Sequence, residues 1–544
     1  MRGFSDAGRA RGAPADRASE LGCLPMSCAV GFGLPGMNSN EEQIMTTTAA
    51  VVMSAQQRTL LRVLTIATFV VILNETIMIN AIPLLMGELH IPARSAQWLS
   101  SGFMLTMAVV IPVTGWFLQR VTTRAAFATA MGLFCGGTLL AGLAPAFPVL
   151  VTARVIQASG TAVMLPLLMT TLLNVVPTAQ RGRVMGNVTL TISVAPALGP
   201  ALSGVILQFL PWRWLFFLVL PVAALLALGG LRVMRNTGEP QPGRLDLPSV
   251  LLTAVGFGGL VYGLSQFGPG AAQAAVPPWL LLAVGAVGLI VFVARQLRLQ
   301  RTATPLLDLR TLTHGGYVNA LAIMALGFMS LMGAMILLPM YLQHVRGLST
   351  LATGLLLMPG GLAMGLLGPP VGRRYDRLGA RPLVVPGSVG LVVALALMGV
   401  AAASGGPAWL FLPLHMLLMV SLAFVFTPVF TAGLAFLPQS LYSHGSAMLG
   451  TLQQVAAAAG TALVVTVMTT RAAQLTGQGA GQDAAMSGGV QAALSVAAVI
   501  AAVALGLSFR QRTPSQEAGG AGESGDSMDE FERDLTREPS CTQA

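Results

Sequence analysis

Runs of about 20 apolar residues recur along almost the whole chain, and this repetition restricts the fold more than any other feature. A helix needs about 20 mainly apolar residues to cross the hydrocarbon core of a bilayer. Only 9% of the residues are charged, against about 25% in soluble domains. The chain therefore has too few charged residues to form the surface of a water-soluble protein. The sequence predicts fourteen spans, near 63–85, 97–118, 126–143, 149–173, 184–207, 214–231, 248–265, 279–294, 318–341, 351–371, 382–402, 408–432, 446–468 and 490–509.

The placement of arginine predicts the orientation of these spans. Positive residues are retained on the cytoplasmic side of membrane proteins, and this chain has arginine but no lysine. With the N-terminus inside, nineteen arginines near the spans fall inside and four outside, the four being Arg94, Arg213, Arg346 and Arg471. This asymmetry predicts an even number of spans and cytoplasmic termini. We therefore expect a multi-pass protein of the cell membrane, surrounded by the lipid bilayer.

A short motif occurs twice, eight spans apart. Its copies share one register: Gly115, Gln119, Arg120 and Arg124 after the second span, and Gly372, Asp376, Arg377 and Arg381 after the tenth. Both copies are predicted to form tight cytoplasmic turns. A positive-inside loop explains the arginines alone, but not the shared register. Internal repeats related in this way are typical of secondary transporters.

The repeated motif resembles the loop signature of the major facilitator superfamily. Other segments similar to motifs of that family follow in order: Leu73–Ile77 and Asn80–Pro83, Arg154–Ala162, Ala195–Gly204, Trp212–Phe216, Pro305–Leu309 and Tyr341–Gly361. Together they look most like the fourteen-span drug:proton antiporter branch, and within it like lincomycin-resistance-type exporters. The resemblance implies an all-α major facilitator fold with two helices inserted between two six-helix bundles.

This plan divides the chain into five predicted segments. The two ends are rich in small and polar residues, a composition typical of disorder. The segments are a disordered N-terminal extension at 1–56, a six-helix bundle at 57–232, two inserted helices at 233–300, a second six-helix bundle at 301–509 and a disordered cytoplasmic tail at 510–544.

Two charged residues lie inside the predicted spans, Glu75 and Arg154. A charge in the hydrocarbon costs at least ~2.5–3.5 kcal/mol, so such residues mark function by default. Glu75 is predicted to bind and release the coupling proton, the alternative being a hydrogen bond to a neighbouring helix. The resemblance implies an aspartate where this chain has Asn74, so the carboxyl is displaced by one residue. Arg154 either snorkels to the interface or takes the core role that the resemblance implies, adjusting the proton affinity of a carboxylate or hydrogen-bonding with Gln157.

Polar residues in the spans are candidates for the substrate cavity: Asn74, Asn80, Gln157, Gln453 and Gln454. The two last glutamines either line the cavity or bridge helices. His415 in the twelfth span is more simply a packing residue.

Small residues predict close helix packing. Ala195, Gly199 and Ser203 recur at every fourth position of the fifth span, beside Pro200 and Gly204, and Gly361 and Gly365 do so in the tenth. Such faces allow another helix to approach closely. We expect them to form the contact about which the two bundles rock, and to seal the cytoplasmic side. Static helix packing is the alternative, and it would need the same small residues. Asp376 is expected to pair by charge with Arg377 and Arg381 and so to hold the cytoplasmic end closed. Gln119, at the equivalent position of the first copy, is neutral and cannot form such an ion pair.

The leading functional interpretation is a proton-driven exporter of small amphipathic organic molecules, working by rocking of the two bundles. Export of an endogenous metabolite or self-made antibiotic would use the same fold. A polytopic membrane enzyme is a weaker alternative, because the sequence has no HExxH, no GxSxG and no paired acids on a large extramembrane loop. No metal or cofactor is expected, and an ATP-binding GxxxxGK[ST] loop is absent. A nucleic-acid partner is not expected either, since the arginines are dispersed rather than clustered on one face.

Overall fold

The computed structural model describes residues 53–511, apart from 92, 97, 235, 237–244, 267–275 and 303–304. Within these residues the chain forms fourteen helices of 19 residues or more and no β-strand. In chain order they are α1 (Ala55–Ile77), α2 (Trp98–Arg120), α3 (Thr123–Gly142), α4 (Phe147–Val175), α5 (Arg181–Phe209), α6 (Trp214–Val233), α7 (Leu247–Ser265), α8 (Pro278–Thr302), α9 (Gly315–Met340), α10 (Thr350–Leu378), α11 (Arg381–Ala403), α12 (Phe411–Ala435), α13 (Tyr442–Gly477) and α14 (Gln482–Ser508).

The helices confirm an all-α polytopic membrane protein. Thirteen helices of the described part are long and apolar enough to cross a membrane. The helix outside that set, α5, is 29 residues long and lies where the fifth span is predicted. A total of fourteen crossings, like the cytoplasmic position of both termini, stays a prediction.

The first helix begins earlier than its apolar run. Ser54 caps α1 by accepting the N–H of Gln57 at 3.1 Å, while the Gln57 side chain accepts the N–H of Ser54 at 2.8 Å. This reciprocal cap satisfies two backbone donors and fixes the start at Ala55. The prediction of disorder up to residue 56 is therefore wrong for the end of that segment, where α1 begins. Residues 1–52 lie outside the described residues, as do residues 512–544 of the tail.

The two copies of the repeated motif are mainly helical, so the prediction of tight turns is wrong for most of their length. Residues 115–120 form the end of α2, and residues 372–378 form the end of α10. The true turns differ between the copies. Gly379 ends α10 with a φ of 78°, a conformation that glycine adopts without strain, whereas Thr122 caps the start of α3.

The contacts among α1–α6 recur among α9–α14. Helix α1 packs on α4, α5 and α6, as α9 packs on α12, α13 and α14. Likewise α3 packs on α4 and α6, as α11 packs on α12 and α14. We refer to α1–α6 as the first bundle and to α9–α14 as the second bundle. The repetition supports the 6 + 2 + 6 plan, whose segment boundaries stay a proposal.

Two helix pairs form the main contacts between the bundles, α5 with α10 and α2 with α13. The inserted helices α7 and α8 pack on each other, and α7 also contacts both α2 and α13. The inserted pair therefore lies beside one of the two contacts that join the bundles.

Candidate functional site

Glu75 lies near the end of α1 and its side chain is partly exposed. None of the hydrogen bonds among the described residues involves its carboxylate. The carboxylate interacts electrostatically with Arg154 of α4, but the two side chains are too far apart for a direct ion pair, which requires 4.0 Å or less between N and O. Glu75 is thus a membrane-embedded acid that can take up a proton without first breaking a hydrogen bond.

Arg154 is almost completely buried, with 2% of its surface exposed. Its Nη1 donates to Gln157 Oε1 at 2.6 Å, and its Nε donates to the carbonyl of Leu99 at 3.4 Å. The guanidinium also lies 4.2 Å from the ring centroid of Phe103, within the range of a cation–π contact. The contacts with Leu99 and Phe103 join α4 to α2, and all three hold the arginine inside the bundle, so it does not snorkel.

Gln157 extends this network to a third helix. Its Nε2 donates to Thr138 Oγ1 of α3 at 2.8 Å, and the residue is fully buried. A buried amide with both ends hydrogen-bonded is a structural bridge. In this conformation Gln157 does not face a cavity, contrary to its predicted role.

Asn74 and Gly199 lie beside Glu75. Asn74 is buried and its Oδ1 has no hydrogen-bond partner, which leaves one acceptor for a proton donor or a ligand. A Cβ on Gly199 of α5 would collide with the side chain of Thr76. Gly199 therefore lets α5 approach α1 directly next to the acid, and its packing partner belongs to the same bundle.

The remaining cavity candidates have different environments. Gln453 and Gln454 of α13 are partly exposed, and neither side chain makes a hydrogen bond to another described residue, an environment expected of cavity-lining rather than helix-bridging glutamines. The backbone of Asn80 lies in a 3₁₀ turn, Met78–Ala81, that follows α1. The side chains of Asn80 and Pro200 lie outside the described residues. His415 packs against Gly360 of α10.

Asp376, near the end of α10, joins the two bundles. Its Oδ1 accepts the backbone N–H of Gly182 at 2.7 Å, and its Oδ2 accepts the N–H of Arg183 at 2.8 Å. Both amides belong to the first turn of α5, where unpaired N–H groups and the helix dipole attract a negative charge. Asp376 thus caps a helix of the other bundle.

The predicted charge pairing of Asp376 with Arg377 and Arg381 is wrong. The single ion pair within 4.0 Å among the described residues joins Asp246 and Arg295. Arg377 and Arg381 are exposed at this end of the bundle, as is Arg124 in the first copy of the motif. Their solvation outweighs pairing, because exposed ion pairs contribute only about 0–1 kcal/mol.

Further hydrogen bonds join the bundles at the same end, which we call the arginine-rich end after Arg120, Arg181 and Arg381. Gln119 Nε2 donates to the carbonyl of Ser440 at 3.0 Å. Four more bonds join Thr170 to Ser446, Arg181 to Tyr442, Thr189 to Thr427 and Asn174 to Gln439. The hydrogen bonds between bundles that the described residues form all lie toward this end, which is therefore closed.

Glycines bring α5 and α10 into backbone contact at the closed end. Gly182 and Gly186 of α5 face Gly372 and Gly368 of α10, and a Cβ on any of the four would collide with backbone of the opposite helix. We call these four residues the glycine seam. Gly365 continues the contact against Val194.

The predicted packing of α5 on α10 is thus correct for the two helices and for Gly365, but not for Gly199. The face formed by Ala195, Gly199 and Ser203 was expected to pack across the bundles, whereas Gly199 packs on α1. Gly204 was also expected to pack closely, but a Cβ there would meet no described atom within 4 Å. The signal that would have found the seam is the four-residue spacing of two glycines on each helix.

The second contact between bundles also depends on a glycine of the repeated motif. A Cβ on Gly115 of α2 would lie 2.9 Å from His444 Nδ1 and 3.3 Å from the Cβ of Ala447, both in α13. Arg120, five residues further along α2, lies with its guanidinium 5.6 Å from the ring centroid of Trp116. The two motif glycines, Gly115 and Gly372, therefore hold corresponding positions at the two contacts between bundles.

A helical membrane protein built from two similar bundles, with an embedded acid and a closed end, has the architecture of a secondary transporter. Comparison with known proteins gives the same class. Residues 64–461 match the Major Facilitator Superfamily. The chain belongs to that superfamily.

Individual relatives include several resistance proteins. The chain is 39% identical over 458 residues to an uncharacterized MFS-type transporter, YcnB, of Bacillus subtilis, covering 84% of this chain and 95% of the relative. It is 37% identical to the lincomycin resistance protein LmrB of Listeria monocytogenes, covering 81% and 93%. A putative multidrug resistance protein, MdtD, of Salmonella newport is 32% identical, covering 71% and 81%.

Solved structures share the fold at low sequence identity. The human organic anion transporter MFSD10 superposes with a TM-score of 0.58 at 15% identity, over 83% of this chain and 99% of that one. The proton:xylose symporter XylE superposes with a TM-score of 0.58 at 15% identity, over 85% and 97%. The chain is accordingly a multi-pass transporter of the cell membrane.

Proposed function

We propose that the chain exports small amphipathic organic molecules, among them drugs or antibiotics, in exchange for protons. The observation that carries this proposal is the environment of Glu75, an acid in a membrane helix with no hydrogen-bond partner among the described residues and with the buried Arg154 close enough to act on it electrostatically. The printed names of the LmrB and MdtD relatives, which refer to lincomycin and multidrug resistance, support the substrate class.

The closed end supports transport by alternating access. The arginine-rich end corresponds to the cytoplasmic side by the arginine asymmetry, so a closed arginine-rich end describes an outward-facing conformation. In this conformation the proton reaches Glu75 from outside. Protonation neutralises the acid and removes its attraction to Arg154, and the bundles then rock about the glycine seam to expose the cavity inward.

Substrate then exchanges with the proton. Deprotonation of Glu75 toward the cytoplasm restores its attraction to Arg154, whose position is fixed by Gln157, Leu99 and Phe103. The amide oxygen of Asn74 and the side chains of Gln453 and Gln454 have no hydrogen-bond partner among the described residues. They provide polar contacts to the organic substrate. Their neutrality is suited to substrates that are neutral or weakly cationic.

Drug susceptibility in an efflux-deficient host tests this proposal. Expression of the chain is expected to raise resistance to several amphipathic drugs, and a protonophore is expected to abolish that gain. Glu75→Gln is expected to abolish proton-driven efflux while the protein remains in the membrane, whereas Asp483→Asn, which removes an exposed acid, serves as the matched control. Normal efflux by Glu75→Gln would exclude Glu75 as the proton carrier, and a panel without any change would favour export of an endogenous metabolite.

A further inference from the structure

The segment that links α8 to α9 is held by an unusual buried glutamine. The Oε1 atom of Gln296 in α8 accepts the backbone N–H of Leu306 at 2.8 Å and that of Leu307 at 3.3 Å. Its Nε2 donates to Ser249 Oγ of α7 at 2.7 Å. Gln296 is fully buried, so one side chain ties α7, α8 and the linker together.

An ion pair fixes the serine to which this glutamine donates. Ser249 Oγ donates to Asp246 Oδ2, and Asp246 is held by two hydrogen bonds of 2.7 Å from the guanidinium of Arg295. Bidentate pairs of this kind fix geometry as well as charge. The polar chain from Arg295 to the linker therefore orients Gln296 and, through it, the backbone of Leu306 and Leu307.

Two leucine side chains of the linker belong to a hydrophobic cluster that includes residues of both bundles. Leu306 and Leu307 are each only 1% exposed and share one hydrophobic cluster with Ala108 of α2 and Ala447 of α13. Phe257, Val261 and Phe292 of the inserted helices complete that cluster. The cluster thus includes one residue from each helix of the α2–α13 contact, and Ala447 is one of the residues that Gly115 approaches.

The end of the linker contacts the same region electrostatically. Asp308 accepts Gln300 Nε2 at 2.8 Å and the backbone N–H of Arg310 at 2.9 Å. The carboxylate also interacts through space with His444 of α13, the residue that packs on Gly115. Residues 306–308 of the linker are consequently fixed to α8 by Gln296 and Gln300, and Asp308 lies close enough to α13 to act on His444.

We propose that Gln296 is a positioning residue for transport, because it seats Leu306 and Leu307 as a brace across α2 and α13 that holds the arginine-rich end closed. Ala108 belongs to the first bundle and Ala447 to the second, so separation of the bundles at this contact would open the hydrophobic cluster that holds both leucines. The inserted helices then set the balance between the closed and open states. This inference rests on the rocking motion of the proposed function, but not on the identity of the substrate or on proton coupling.

Distances between spin labels test the brace directly. Labels at Ala125→Cys, at the start of α3, and Arg374→Cys, near the end of α10, report separation of the bundles at the arginine-rich end; both side chains are exposed, and the four native cysteines are replaced by serine. Gln296→Met keeps the volume and removes the hydrogen bonds. It removes three hydrogen bonds and is expected to raise the ratio of open to closed molecules about tenfold, the effect of losing the two buried bonds that hold the linker.

Two further variants separate positioning from folding. Gln296→Glu retains the acceptor for both amides and is expected to restore most of the closed population. Thr253→Val is the control, because Thr253 is equally buried in α7 but bonds only to the carbonyl of Val250 in its own helix; its distances are expected to match wild type.

The outcome is informative even if drug export fails. The distance distribution is measured without substrate, so a shift in Gln296→Met supports the brace whatever the chain transports. Leu306→Ala with Leu307→Ala provides a second route to the same shift. Unchanged distances in Gln296→Met and in the double-alanine variant, both recovered folded from the membrane, would overturn the brace even where efflux of drugs is proven.

Discussion

The carboxylate of Asp376 accepts the backbone N–H of Gly182 across the boundary between the two bundles, at 2.7 Å. The donor is a peptide group at the start of α5, not a side chain. A carboxylate at a helix N-terminus is stabilised both by the unpaired amides and by the helix dipole. The bond therefore exists only while α5 and α10 are in contact, and it links closure of this end to one side chain.

Asp376→Asn is expected to weaken closure. Hydrogen bonds to charged groups contribute about 1.5–3 kcal/mol, against about 1 kcal/mol for neutral ones, so the variant favours opening by roughly two- to thirtyfold. Spin-label distances at the arginine-rich end measure the shift directly. Arg373→Gln, which changes an exposed neighbour on the same helix, is the control; equal distances in the two variants would contradict the role given to Asp376.

Gly372→Ala is expected to impair transport more than stability. A Cβ on Gly372 would collide with the carbonyl of Gly182, and overpacking of this kind costs about 1–3 kcal/mol. The cost falls on the closed state, where the helices touch, and less on each bundle alone. Rates of drug efflux are expected to fall at least about fivefold while the amount of protein in the membrane is kept.

Gly204→Ala is the matched comparison for that substitution. Both positions belong to predicted packing motifs, but a Cβ on Gly204 meets no described atom within 4 Å. Wild-type efflux is expected for this variant. A comparable loss in both variants would indicate that the alanine side chain acts through the helix backbone rather than through the glycine seam.

The sequence predicts those parts of the fold that depend on local composition. Apolar runs place nearly all of the helices, because crossing a bilayer requires length and hydropathy in one continuous segment. Glu75 and Arg154 are evident for the same reason, since a charge within such a run is costly wherever it lies. Neither inference requires knowledge of which helices meet.

Contacts between distant helices are much harder to predict. The partner of Asp376 is a pair of backbone amides about 190 residues away, and no residue type marks them. The partner of Gly199 is equally hard to predict, because a residue without a side chain allows any helix to approach closely. The structure places it against Thr76 rather than against the second bundle. Gln157 is polar enough for a cavity, and only the positions of Arg154 and Thr138 show that its amide is fully used.

Arg154 and Gln157 are expected to behave as one unit. Arg154→Met leaves the Oε1 of Gln157 buried without its donor, and an unpaired buried polar atom costs about 1–3 kcal/mol. Thermal stability in detergent is expected to fall in Arg154→Met and in Gln157→Leu. The double variant is expected to lose less than the sum of the two, as contacting residues do; strict additivity would contradict the direct bond between them.

Gln453→Ala and Gln454→Ala are expected to alter substrate affinity without altering stability. Neither side chain bonds to another described residue, so truncation leaves no buried partner unpaired. A change of KM for drug efflux at unchanged melting temperature is the expected result for at least one of them. A fall in melting temperature similar to that of Gln157→Leu would instead assign these glutamines to helix bridging.

The ion pair between Asp246 and Arg295 gives a prediction for pH. The hydrogen bond from Arg295 holds the pKa of Asp246 below its usual range, so the folded chain favours the ionised carboxylate. A lowered pKa in the folded state contributes stability above the unfolded pKa, near 4, and that stability is lost as the pH falls through the folded value. The pair therefore stays intact at physiological pH and does not itself act as a proton switch.

Asp246→Asn is expected to lower the melting temperature at pH 7 only slightly, since the Arg295 side chain is 38% exposed and exposed pairs contribute about 0–1 kcal/mol. The difference between wild type and variant is expected to shrink as the pH falls from about 4 toward the lower folded pKa of Asp246, below which the wild-type carboxylate is protonated as well. Asp483→Asn, at an exposed acid, is the control and is expected to show no such convergence. A difference that grows toward low pH would mean that Asp246 is protonated in the folded chain, and the polar chain supporting Gln296 would then lack its charged anchor.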